Sequence, residues 1–152
     1  MDYVTLKQKL YTKCVEIISA KLNTINALLN DAQESANSET KSTAGDKHDT
    51  ARAMAHLETE KNAAQLAEIN KLKKVLPYLE NHKTGKTVDL GSLVMTDSGN
   101  YYISISLGKI IIENDLFFAI SAMTPIGKLL IGKKVGDNIN FNGKKITINA
   151  FA

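Results

Sequence analysis

Between Leu6 and Ser35 the apolar residues Tyr11, Cys14, Ile18, Leu22, Ile25 and Leu29 recur every three or four positions, the period of one helix face. A second stretch, Asp46 to Leu76, keeps the same period more loosely through Met54, Leu57, Ala64, Ile69, Leu72 and Leu76. Each stretch has one apolar stripe and a polar remainder. The two are therefore expected to bury their stripes against each other as an antiparallel coiled-coil hairpin. Arms of roughly 30 residues would be about 45 Å long at 1.5 Å per residue, a rod rather than a globule. The connection Ser35 to Gly45 is polar and rich in breakers, with Gly45 free to take a positive φ before the next helix. Pro77 marks the far end of the second arm, and residues 82–86 read as a linker. Near the tip the second arm is rich in alanine (Ala51, Ala53, Ala55, Ala63, Ala64 and Ala67). Helix propensity and a rod slim enough for a narrow channel explain this equally well.

From about Val88 the period changes to short alternating runs. Ser92 to Thr96, Tyr101 to Leu107, Leu116 to Ala122 and Lys145 to Phe151 read as strands. Asn142-Gly143, between Ile139-Asn140-Phe141 and Lys144-Lys145-Ile146, is a strong two-residue hairpin signal. Thr124-Pro125 reads as an N-cap followed by a first-turn proline, opening a short helix that ends near Gly132. The fold class is α+β: a helical hairpin over 1–80 with its tip at about 35–50, then a compact, mostly antiparallel β domain with one short helix over 87–152.

The composition, 152 residues with 43% hydrophobic and 23% charged, suits one or two small units rather than a large enzyme. A net charge of +3 makes no case for nucleic-acid binding by itself. Cys14 has no partner for an intrachain disulfide and is expected to pack inside the first helix. There is no leader-like N-terminal stretch and no run near the ~18 apolar residues of a membrane span, so a cytoplasmic protein without membrane contact is expected. Charge sorts along the expected rod. From Asp31 to Asp49, five acids (Asp31, Glu34, Glu39, Asp46, Asp49) face two lysines (Lys41, Lys47). Antiparallel pairing would gather Lys7, Lys9, Lys13, Lys71, Lys73 and Lys74 at the opposite end.

Candidate chemistry centres on the tip. Asp46 and Asp49 are three residues apart and so share one side of a helix. Capping accounts for both: Asp46 accepting from first-turn amides, Asp49 favouring the positive helix end. The functional alternative is metal binding, but magnesium prefers six oxygen ligands. Two carboxylates would therefore complete a site only if a partner supplied other oxygens. A metal held in that way could activate water for phosphodiester hydrolysis. His48 and His56 lack a third ligand nearby and are not expected to bind a metal, although His56 could pair with Glu60. No glycine-rich phosphate loop, nucleophile elbow or Cys-x-x-Cys pair is present, and no self-contained active site is expected.

Two stretches carry a family resemblance. Gly45-Asp46-Lys47-His48-Asp49-Thr50-Ala51 is similar to the Gly-Asp-Leu-x-Glu-Asn-Ala tip motif of the bacterial Gre transcript-cleavage factors, the GreA/GreB type. The run from Ile120 to Asp137 resembles that family's Ser-Pro-Ile-x-x-x-Leu-Leu-Gly-Lys-Lys-Val-Gly-Asp segment and is the more specific of the two. The resemblance covers nearly the whole chain, and the order of the halves agrees. It implies an N-terminal coiled-coil hairpin followed by an FKBP-like domain. It also implies a transcription elongation factor whose hairpin enters the secondary channel of backtracked bacterial RNA polymerase. Asp46 would help hold a second Mg2+ supplied in the polymerase active site, and Asp49 would orient the attacking water. The polymerase would then cut its own transcript, with the nascent RNA 3′ end met only indirectly. The factor would be a donor of catalytic groups, not an enzyme, and a monomer is expected. Thr124, Pro125, Ile126 and Leu130 would dock on the polymerase rim; the sorting of charge along the rod, independently of the resemblance, adds Lys71, Lys73 and Lys74 as expected partner-binding residues.

The departures from the family pattern are specific. Asp49 stands where the family has glutamate, which leaves its carboxylate about 1.5 Å short. Thr50, Arg52 and Ala53 replace asparagine, glutamate and tyrosine, and the longer tip connection adds Glu39. These changes open the alternative of a non-cleaving regulator or inhibitor that binds the same channel. A prolyl isomerase, suggested only by the FKBP-like half, ranks third because the chain has no Trp and 6% aromatic content. A scaffold-type coiled coil without a polymerase partner is the fourth reading.

Overall fold

The computed structural model describes residues 2–39 and 45–152; the side chains of 35–39 and 45–48 lie outside the described set. Helices α1 (Tyr3–Glu39), α2 (Gly45–Lys73) and α3 (Leu76–Leu79) are followed by strands β1 (Leu93–Thr96), β2 (Gly99–Ser104), β3 (Gly108–Ile112) and β4 (Asp115–Ser121). Helix α4 (Pro125–Leu130) and strands β5 (Asn138–Phe141) and β6 (Lys144–Phe151) complete the chain. The chain divides into two compact units, Ile17–Lys73 and the pair of segments Met1–Glu16 and Lys74–Ala152. The first turns of α1 therefore belong with the sheet, whereas the sequence pattern groups them with the helices. Leu6, Leu10 and Cys14, spaced four apart on one helix face, explain this, because they are buried within the sheet-bearing unit.

The sheet order is β3-β4-β2-β1-β6-β5. Four neighbouring pairs are antiparallel; β2 and β4 run parallel, with Tyr101 opposite Phe118 and Ser104 opposite Ser121. The alternation of strand side chains divides the core. On one face Val94, Ile103, Ile139, Ile146 and Ile148 cluster with Val88 and with Ile126 and Leu130 of α4. The intervening positions Leu93, Tyr102, Ser104, Phe117 and Ala119 are buried as well. The buried Cys14 thiol of α1 lies close to Ser104, so the first turns of α1 lie on that second face.

Strand β3 escapes the sequence pattern. Its run Ile110-Ile111-Ile112 does not alternate in chemistry, yet Ile110 is buried while Ile111 is exposed, as in a strand with one covered face; the strand lies at the sheet edge. It joins β4 through Glu113 and Asn114, with φ of 49° and 71°. Asn142 and Gly143, with φ of 51° and 77°, make the same type of turn between β5 and β6. There Asn-Gly announced the turn; Glu-Asn did not.

The helical unit corrects one stripe. In α1 the expected positions hold: Ile18 and Ile25 are buried and Leu22 and Leu29 half-buried. In α2, however, Met54 is 65% and Leu57 63% exposed, and Ala64 is also exposed. The inward positions are Ala51, Ala55, Thr59, Asn62, Leu66, Ile69 and Leu72, spaced three or four apart. Leu66, Ile69 and Leu72 set the phase of the helix, and a steady period then carries small and polar residues inward, with Met54 and Leu57 outside. Pro77 does not simply end α2. Helix α2 stops at Lys73, and Pro77 lies in the first turn of α3, where its missing N–H costs nothing.

Candidate functional site

At the start of α2 the structure places Asp49 on the surface. The side chain of Asp46 and all side-chain detail of Glu39 and His48 lie outside the described residues. Asp49 lines a groove of about 440 Å3 with Gln33, Arg52, Ala53, Ala55, His56 and Thr59. The guanidinium-bearing residue at 52, one turn on from Asp49, therefore faces the same groove. His56 pairs with Glu60 at 3.1 Å, the helical i, i+4 contact expected from the sequence. Among the described residues no cluster of three or more His, Cys, Asp or Glu side chains could hold a metal ion by itself.

The Thr124–Asp137 segment is accounted for residue by residue by the fold. The Thr124 hydroxyl donates to the Ser121 carbonyl at 2.7 Å and accepts from the Gly127 amide at 3.1 Å, capping α4. Gly127 is fixed by close approach, because a Cβ there would collide with the Ser121 carbonyl oxygen. The Gly132 amide donates to the Val88 carbonyl, and the Asp137 carboxylate accepts from the Lys134 amide at 2.9 Å. Ile126 and Leu130 are core residues, 8% and 0% exposed. Neither side chain therefore presents an apolar surface to solvent; Pro125, Leu129, Ile131 and Val135 are the exposed apolar side chains of the segment, with Met123 just before it.

The lysines separate on inspection. Lys71 pairs with Glu68 at 3.0 Å, both largely exposed, and Lys73 and Lys74 are exposed. Lys71 and Lys73 in the last turn of α2 also complement its negative end. Lys9 pairs with Glu113 at 2.7 Å, and Lys13 lies 3.7 Å from Glu16. Lys7 does not belong to a solvated basic end at all: it is 8% exposed.

Instead Lys7 begins a polar chain, running from the interior out to an exposed carboxylate, that sequence reasoning missed. Its ammonium donates to His82 Nδ1 at 2.8 Å and approaches the His82 carbonyl oxygen at 3.4 Å. His82 Nε2 lies 2.7 Å from Asp89 Oδ1, which also accepts from the Ser92 hydroxyl at 2.9 Å. With Lys7 charged, the imidazole accepts at Nδ1 and donates from Nε2, which fixes one neutral tautomer. Gly91, at φ +99°, lies against the imidazole; a Cβ there would fall 2.6 Å from the ring. Burial lowers the Lys7 pKa, and the negative charge of Asp89 partly offsets this. The signal was present in the sequence: Lys7 falls one turn before Tyr11 and two before Cys14, on the apolar face of α1.

No helix among the described residues is long and apolar enough to cross a membrane. No protein-family model matches the chain, and no curated protein matches it.

Proposed function

We propose that the chain is a Gre-type transcription elongation factor that inserts a helical hairpin into the secondary channel of bacterial RNA polymerase. The observation that carries this reading is the paired order of residues along α1 and α2. Gln33 shares a groove with residues 49–59, whereas Ile17 to Ile25 share one with Ala64 to Ile69. As the number rises on one helix it falls on the other, which supports an antiparallel hairpin with Gly45-Asp46 and Asp49 at its turning end. Within the helical unit, residues 17–39 of α1 and the 29 residues of α2 give about 34 and 43 Å of length, which suits a projecting arm. The sheet-bearing unit, with its short capped helix α4 over one face, supports an FKBP-like second half.

In this function Asp46 would help hold a magnesium ion supplied in the polymerase active site and Asp49 would orient the attacking water, the polymerase itself performing the cleavage. The exposed Lys73 and Lys74, with Pro125, Leu129 and Ile131, are residues of the expected docking regions that could meet the polymerase rim. A second reading, a non-cleaving regulator of the same channel, is favoured by one feature. Arg52 shares the groove of Asp49 and places a positive charge where the family carries an acid. Both readings are tested with a backtracked elongation complex from the host. Shortened 3′ transcripts with the wild type, but not with an Asp46→Asn, Asp49→Asn variant, support cleavage. Channel competition without shortening supports the regulator. Absence of binding refutes both.

A further inference from the structure

Outside the tip, one feature of the sheet-bearing unit points to a ligand. Beside the buried Lys7 lies a cavity of about 590 Å3, within the size range of small-molecule sites. It is formed by one face of α1 (Val4, Lys7, Gln8, Tyr11, Thr12) and by residues 79–84. Lys7 is more than nine-tenths buried, yet among the described residues its hydrogen-bond partners are neutral: the imidazole Nδ1 and the carbonyl oxygen of His82. Asp89, its nearest compensating charge, stands on the far side of the imidazole ring. An ammonium has three N–H donors, and two of them are used. A buried cation without a directly bonded anion is costly, and an anion seated in the cavity would relieve that cost.

The rest of the lining suits an oxyanion. Lys83 adds a second cation, and Gln8, Thr12, Asn81 and Thr84 add neutral donors. The acid of the lining, Glu80, lies near the Tyr11 hydroxyl. Val4 and Leu79 supply an apolar wall for a non-polar portion of the ligand. We propose that this cavity binds a small phosphate-bearing molecule, its phosphate held by the third N–H of Lys7 and by Lys83. A phosphate is preferred to a carboxylate because it has three oxygens to share among two ammonium groups and the surrounding donors. The site is independent of the tip acids and of any polymerase partner.

The experiment is a titration of the full chain with inorganic phosphate at constant ionic strength, sodium chloride making up the balance. The readouts are the ring resonances of His82 and the amide resonances of residues 79–84. Saturable shifts with a Kd of about 1 mM or tighter are expected. Lys83→Ala, at an exposed position, should weaken binding roughly two- to fivefold, the range of an exposed charge pair. Lys7→Met should abolish it. If Lys7→Met does not fold, Lys83→Ala together with Thr84→Val decides. Shifts that do not saturate overturn the site, and so does saturation that these variants leave unchanged. Saturation by acetate as tight as that by phosphate overturns the phosphate assignment.

Discussion

Raising the pH from about 7.5 to about 10.5 should remove about 2 kcal/mol of stability from the sheet-bearing unit through Cys14 alone. The thiol is 0% exposed, and burial pushes its pKa from 9.0 up to about 11, with the nearby Ser104 a smaller opposing influence. The sign follows from linkage. In this window the unfolded chain releases the thiol proton while the folded chain keeps it. The contribution is fully present below pH 9 and is lost as the pH rises through 11. Its full span, two pKa units, is about 2.7 kcal/mol, most of which is already spent at pH 10.5. Tyr102, buried beside Cys14 with its phenol held well above the usual 10, acts in the same direction at higher pH. Lys7 opposes both: its lowered pKa makes the folded state the poorer proton binder, so its share of stability rises with pH toward 10.5. A double difference isolates the thiol. Urea unfolding is followed at both pH values through the methyl resonances of Ile103 and Ile148, which report the sheet core, in the wild type and in Cys14→Ala. The variant loses a small packing contribution at both pH values, but it should lose about 2 kcal/mol less than the wild type on going alkaline. Equal pH dependence in the two proteins would refute the burial argument for Cys14.

Three further outcomes follow from the packing. Asn62→Leu should stabilise the helical unit by about 1 kcal/mol or more, because Asn62 is 2% exposed and its Nδ2 has no hydrogen-bond partner among the described residues; a lowered midpoint in thermal unfolding would count against it. Leu130→Ala should cost about 2–5 kcal/mol while Leu129→Ala, one position away and exposed, should cost less than about 0.5 kcal/mol; comparable losses in urea denaturation would contradict the assignment of Leu130 to the core. Thr124→Ala should cost about 1 kcal/mol by removing the cap of α4, with Thr124→Ser restoring most of it; equal stabilities for the two variants would show that the cap contributes nothing.

What the sequence disclosed depended on how sharply local chemistry marks an element. The α1 stripe was legible because bulky apolar residues mark its inner face, and the β5–β6 turn because Asn142-Gly143 favours positive φ at both positions. In α2 the same reading misplaced Met54 and Leu57, since hydrophobicity was taken to mean burial, whereas the period set by Leu66, Ile69 and Leu72 decides. Alanine and threonine at 51, 55 and 59 carry too weak a hydrophobic signal to announce an inner face. Strand β3 was lost for the converse reason, a run of isoleucines that hides the alternation of an edge strand. The Lys7–His82–Asp89 chain joins residues 75 positions apart, a separation that no local pattern spans. A lysine on an apolar helix face was nonetheless a flag that a buried partner was required.

The two halves of the family resemblance bear unequally on function. The Thr124–Asp137 segment is the longer match, but its cap, its close-packed glycine and its buried Ile126 and Leu130 are all demanded by the way α4 seats on the sheet. Such residues would persist in any protein sharing this turn of structure, so they argue for fold and leave activity open. The tip is the reverse. Asp49 is exposed, and among the described side chains no structural hydrogen bond of its own explains a carboxylate there. Residues that the fold does not need are the ones whose substitution can separate activity from stability. Asp49→Asn should therefore leave the unfolding free energy within about 0.5 kcal/mol of the wild type. If it also abolishes transcript shortening in a backtracked complex, the loss belongs to the carboxylate itself. A fall in stability of several kcal/mol would instead assign Asp49 to the packing of the helices and remove it from the proposed chemistry.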